Sequence, residues 1–118
     1  MLTDDQLNFF KENNIVVLAT ANKDGQPRAI LVEANKTEND KIIVTDNEME
    51  MTRQNILNNK NVFVLAYSED HNRCLKIEGT ANYETEGENF EYTKGLESNK
   101  DYMPKAAVVI NISNVTEA

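Results

Sequence analysis

Apolar positions along the chain fall into short runs separated by polar turns, and their spacing switches between helical and extended periods. Thr3 can cap a helix, Gln6 stands three residues later as in a capping box, and Asp4 and Asp5 suit the positive helix end. Leu7 and Phe10 share a face, which predicts a helix over about residues 3–12. Ile15-Val16-Val17-Leu18-Ala19-Thr20-Ala21 is too short for a buried helix and rich in β-branched residues, so it predicts a strand covered on both faces. The turn signal Lys23-Asp24-Gly25-Gln26 joins it to a second strand over about 27–34, with Pro27 at the start or edge because it lacks an amide donor. A polar turn, Thr37-Glu38-Asn39-Asp40, leads into Lys41-Ile42-Ile43-Val44-Thr45, completing an antiparallel meander.

The segment 48–58 changes period: Met49, Thr52 and Ile56 follow helical spacing, with Arg53 and Gln54 directed elsewhere. Val62-Phe63-Val64-Leu65-Ala66-Tyr67 reads as another buried strand, and residues 68–73 as a polar loop. Beyond it, Leu75, Ile77, Gly79, Ala81 and Tyr83 point one way, while Lys76, Glu78, Thr80 and Asn82 point the other. A short helix over about 86–96, weakened by Gly95, precedes a last strand, Ala106-Ala107-Val108-Val109-Ile110-Asn111-Ile112. Six strands with short turns and three small helices predict a mainly β fold, an antiparallel barrel closed or nearly so, which removes exposed edges.

A length of 118 residues suits one domain spanning 1–118, with one core and little stability margin, so burial against a second copy would help. The composition, 40% apolar and 27% charged, is that of a globular protein. Twelve basic against twenty acidic residues leave a net charge of −8, a field that repels nucleic acid and anionic membrane surfaces. Neither is expected as a partner. No apolar run approaches the roughly 20 residues of a membrane span. The N-terminus shows no basic and apolar regions of a secretory signal, so the expected location is cytoplasmic.

Chemistry is sparse. His71 is the one histidine and Cys74 the one cysteine, too few for a zinc site or an internal disulfide, so no metal is expected. Arg73 and Lys76 flank Cys74, but no oxyanion-hole motif accompanies it, and Ser68, Ser98 and Ser113 lie in no nucleophile elbow. No side chain stands out as a catalytic acid or base. One junction remains, where the strand ending at Thr45 meets the helix carrying Met51, Thr52 and Arg53. A helix start can hold an anion on its free amides, with Thr52 and Arg53 adding a hydroxyl and a charge; from these residues alone an ordinary helix start with a surface arginine is the favoured reading, since every helix has such an end.

In order and spacing, these pieces resemble the pyridoxamine 5′-phosphate oxidase-like superfamily, in particular its small bacterial FMN-binding proteins. The resemblance rests on Val17-Leu18-Ala19-Thr20-Ala21 with Asp24-Gly25-Gln26-Pro27, on the segment from Thr52 to Val62, on Ile77-Glu78-Gly79-Thr80-Ala81, and on the tail Lys105 to Ile112. It covers nearly the whole chain. It implies a six-stranded FMN-binding split β-barrel, a homodimer with flavin at its interface, and a redox role as an FMN-dependent oxidoreductase or electron carrier. Carried across, the flavin ring would run past Val32, Glu33, Thr45, Asp46 and Asn47, and its phosphate would meet Met51, Thr52 and Arg53.

The chain departs from that family where Met51 and Thr52 stand in place of the usual basic residue, and where Asp46, Glu48 and Glu50 crowd the expected phosphate. Two unit charges about 5 Å apart at an effective dielectric near 20 repel by roughly 3 kcal/mol. The departures define the alternative: a non-catalytic dimeric split-barrel module that has lost FMN and holds another small ligand, such as a different flavin or a heme breakdown product.

Overall fold

The computed structural model describes residues 1–118. Its strands are β1 (Ile15–Ala21), β2 (Pro27–Glu33), β3 (Lys36–Thr37), β4 (Lys41–Asp46), β5 (Asn61–Ser68), β6 (Arg73–Glu84) and β7 (Ala106–Glu117). Helices α1 (Asp4–Glu12), α2 (Glu50–Asn58) and α3 (Glu88–Lys94), with a 3-10 turn at Glu97–Asn99, complete the chain. All strands join one antiparallel sheet in the order β2-β1-β5-β6-β7-β4-β3.

Two consecutive amides show how that sheet curls. Ala34 donates to Asn14 O at 2.7 Å, on the β1 side, and Asn35 donates to Ile43 O at 2.9 Å, on the β4 side. One stretch of chain thus supplies both edges, β2 and β3, and the sheet wraps into a split barrel. The expected six strands become seven because Lys36 and Thr37 pair with Ile43 and Ile42. A pair of residues is too short to carry a periodic signal.

Inside the barrel, Leu18, Ile42, Val44, Val64, Leu75, Ile77 and Ile110 pack with Phe10 from α1 and Ile56 from α2. The predicted capping box forms: Thr3 Oγ1 accepts from Gln6 N at 3.1 Å, and Gln6 Oε1 accepts from Thr3 N at 3.0 Å. Arg73 then ties α1 to the last strand, donating to Asp5 at 2.5 Å and to Glu117 at 2.6 Å while lying over the Phe9 ring. Its hydrogen bonds hold the Glu117 carboxyl below the usual range. Pairing of β7 with β6 continues to Glu117, well beyond the predicted end at Ile112.

Two strands expected to be covered on both faces are not. In β1, Val16, Leu18 and Thr20 are buried, Val17 and Ala19 half-buried, and Ile15 exposed. In β5, Val62, Val64 and Ala66 are buried while Tyr67 is exposed. Side chains alternate across a strand, so only one face of each meets the barrel interior. The predicted alternation in β6 does hold, with Leu75, Ile77, Gly79 and Ala81 buried and Tyr83 half-buried. The strand bends at a register shift between Glu78 and Gly79. A Cβ on Gly79 would lie 2.3 Å from Asn111 O, so the close approach of β6 to β7 there admits only glycine.

Candidate functional site

Strand β4 hands over to α2 across Asn47, Glu48 and Met49, and this junction borders a cleft of about 390 Å³. Four of the residues expected to meet a flavin ring, Val32, Glu33, Thr45 and Asn47, line it. Asp46 does not. Alternation along β4 turns it inward, fully buried, where Oδ1 accepts from Met49 N at 2.7 Å and Oδ2 from Tyr83 Oη at 2.5 Å. It therefore fixes the start of α2 from below instead of adding charge to the cleft. Burial and the Asp46 hydrogen bond push the Tyr83 hydroxyl up to about 12.

Met51 and Thr52 border a second, smaller recess of about 220 Å³, with Arg28 from β2 and with Glu48 and Glu50. The two recesses adjoin, sharing Ile30, Glu48 and Met49. Helix α2 receives no side-chain cap from its N-cap residue Met49, so this recess meets amides that no capping side chain claims. Thr52 is buried and Met51 half-exposed. Arg53 lines neither recess; it lies toward Tyr83, where its charge opposes the upward shift of the hydroxyl. The helix begins at Glu50, two residues after the predicted start, because the Asp46–Met49 bond holds the intervening turn.

Three further cleft residues, Asn35, Asn99 and Tyr102, were not anticipated. Asn35 lies in the two-residue crossing from β2 to β3, and Asn99 and Tyr102 lie in the segment between α3 and β7. Polar residues in irregular chain carry no periodic signal, so only the fold assembles them. Asn35 and Asn99 join Glu33, Thr45 and Asn47 in a hydrogen-bonded relay along the cleft wall. Asn47 Nδ2 donates to Asn99 Oδ1 at 3.1 Å, and Asn99 Nδ2 donates to Thr45 Oγ1 at 2.9 Å. Thr45 Oγ1 donates to Asn35 Oδ1 at 2.7 Å, and Asn35 Nδ2 to Glu33 Oε2 at 3.2 Å. Asn47 Oδ1 is buried without a partner.

Elsewhere the fold assembles little. His71 is exposed in its loop, Cys74 is a half-buried free thiol, and no three His, Cys, Asp or Glu side chains come together as metal ligands. No helix is long and apolar enough to cross a membrane.

A curled antiparallel split barrel with a ligand-sized cleft at its β4–α2 junction is the class that fold and cleft define. The family model described as Pyridoxamine 5′-phosphate oxidase matches residues 2–117, and the chain belongs to that family. The Methanocaldococcus jannaschii protein MJ0282 is 36% identical over 109 residues, 88% of this chain and 72% of that protein. Among solved structures, Group A Streptococcus HupZ superposes with a TM-score of 0.87 at 22% identity, covering 99% of this chain and 94% of that one. An FMN-binding protein from Syntrophomonas wolfei superposes with a TM-score of 0.77 at 13% identity, covering 95% and 82%. At such identities the two structures bear on the fold, while the family match supports a flavin-binding role at family level.

Proposed function

We propose that the chain works as one domain that binds FMN noncovalently, with its ring along Val32, Glu33, Thr45 and Asn47 and its phosphate at Met51 and Thr52. The observation that carries this reading is the adjacency of the ring-sized cleft to the recess at the uncapped start of α2. The residues present fit the group. Arg28 brings a positive charge to the recess, and Thr45 and Asn47 add polar side chains to the cleft wall. Bound FMN would supply redox chemistry, as an electron carrier or in reduction of a small substrate. The chain's own residues hold and orient it, and Ile30, Val32 and Met49 keep water from one side of the cleft.

The same reading includes a cytoplasmic homodimer. Ile15 and Leu31 project from the outer face of β1 and β2, with half-buried Val17 paired to both Leu31 and Leu65, and Tyr67 lies exposed on β5. An apolar face this continuous suits burial against a second copy. Leu31 also lines the cleft, so a copy seated there would form part of the cleft wall.

The deciding experiment is an absorption spectrum of freshly purified protein, followed by titration of any colourless fraction with FMN. A flavin band, or saturable uptake of FMN, is expected. A folded protein that ignores millimolar FMN would sink the proposal. Met51→Lys should tighten FMN binding about tenfold by adding a charge-assisted contact; an unchanged affinity would remove the phosphate from this recess. Glu48 and Glu50 favour the second reading, a module that has lost FMN and holds a ligand without a phosphate.

A further inference from the structure

Between α3 and β7 the chain runs beside the cleft as a strap held at two points. Near its start Asn99 is buried; its Nδ2 donates to Thr93 O and to Thr45 Oγ1, both at 2.9 Å, and its Oδ1 accepts from Asn47 Nδ2 at 3.1 Å. At its end Lys105 N donates to Asp46 O at 2.8 Å. Tyr102 stands between these anchors, and its own amide donates to Asn99 O at 3.0 Å. A pinned backbone thus presents a tyrosine on the cleft, yet that residue stays 59% exposed. Around it the cleft is lined by an apolar group, Ile30, Leu31, Val32 and Met49, and by a polar group that includes two carboxylates, Glu33 and Glu48. No Lys, Arg or His lines the cleft, and Tyr102 is its one aromatic residue. Charge therefore gives this cleft no hold on an anionic ring, and two carboxylates oppose one. A neutral ring is left with burial of apolar area and contact with an aromatic face.

We propose that Tyr102 is a ligand-contacting residue of the cleft, where it selects planar, electron-poor heterocycles by stacking its electron-rich phenol on them. The proposal rests on the reading of this cleft as the ring site and names the side chain that holds the ring's face. An aromatic contact adds dispersion and quadrupole attraction to what area burial alone supplies. The anchors at Asn99 and Lys105 matter here, because a backbone already fixed loses little entropy when a ligand arrives. The exposure of Tyr102 supplies the other half: surface left in water before binding is surface to bury on binding. Met103, next in the chain and 88% exposed, lines no part of the cleft and is the control position.

The test is a fluorescence titration of lumiflavin and of FMN with the unaltered protein and with Tyr102→Leu, Tyr102→Phe and Met103→Ala. Lumiflavin carries the ring without the phosphate, so ring contact is measured apart from the α2 recess. A phenol in contact with a flavin ring quenches its emission, which gives a second readout beside affinity. The unaltered protein should bind both compounds and quench them. Tyr102→Leu should weaken both by about tenfold and raise the emission of the saturated complex. Tyr102→Phe keeps an aromatic ring and Met103→Ala lies outside the cleft, so each should bind within about threefold of the unaltered protein. All three changes fall at exposed positions, where folding tolerates substitution. The proposal is overturned if Tyr102→Leu binds lumiflavin within about twofold of the unaltered protein or leaves it equally quenched. It is overturned too if Tyr102→Phe or Met103→Ala loses as much affinity as Tyr102→Leu, or if lumiflavin does not bind. FMN bound without lumiflavin would remove the stacking contact and keep the phosphate recess. Lumiflavin bound through Tyr102 without FMN would uphold the proposal and reject FMN instead.

Discussion

The barrel has two outer walls, and they are finished differently. On the β4–β7 wall, Ile43, Ala107 and Val109 are buried under α3, with Phe90 packed against them. On the β2–β1–β5 wall no element of the chain lies over the sheet's outer side, and Ile15, Leu31 and Tyr67 stand 57%, 72% and 53% exposed. Both walls come from strands of similar apolar character. The difference lies in the connections: β6 leads into a helix that folds back, whereas β1 and β2 are joined by a tight turn at Gly25, whose φ is +89°. An apolar strand face signals that something must cover it, and the connection decides whether the cover is the chain itself.

The largest expected effect comes from opening the covered wall. Ile43→Ala removes a fully packed side chain beneath α3 and should cost about 2–5 kcal/mol in chemical denaturation. A loss under about 0.5 kcal/mol would mean that α3 is not a structural cover. Next is the seam between the walls, where β6 bends. Gly79→Ala places a Cβ against Asn111 O and should cost about 1–3 kcal/mol, as overpacking does.

On the open wall the comparison predicts the reverse. Leu31→Glu should change folding stability by about 0.5 kcal/mol or less, since the side chain touches little within the chain. The same change should shift a dimer to monomer in sedimentation at micromolar concentration. If assembly is unaffected, that wall is not the dimer contact. The last effect, and the one most confined in pH, belongs to Tyr83, paired with Val108. Its folded pKa of about 12 lies above its ordinary 10.0, so the fold retains the proton that the unfolded chain releases first. This contribution is complete below about pH 10 and disappears as the pH rises through about 12. Tyr83→Phe should flatten the stability profile within that window and, by leaving the buried Asp46 Oδ2 without its donor, lower stability at neutral pH by about 1–3 kcal/mol.

Much of the fold was legible because its signals are local. The Thr3–Gln6 capping box, the alternation from Leu75 to Tyr83 and the helical spacing of Met49, Thr52 and Ile56 each depend on neighbours within a few residues, and each appears as predicted. The β4–α2 junction was legible for the same reason. Asp46 was not: its sequence neighbours suggested a charge beside the ligand, but the pleat of β4 and the hydroxyl of Tyr83, 37 residues away, turn it into a buried anchor. Asn99 was still less so, since its partner Asn47 lies 52 residues away.

Local pattern by itself determined the helices, every strand but the two-residue β3, and the place where strand hands over to helix, because backbone geometry repeats over a few residues. Tertiary structure alone decided which wall is left bare, which carboxylate is withdrawn from the cleft, and which asparagines meet in a directed relay. Those outcomes depend on the closure of the sheet through Ala34 and Asn35, a long-range event that no window of neighbouring residues encodes.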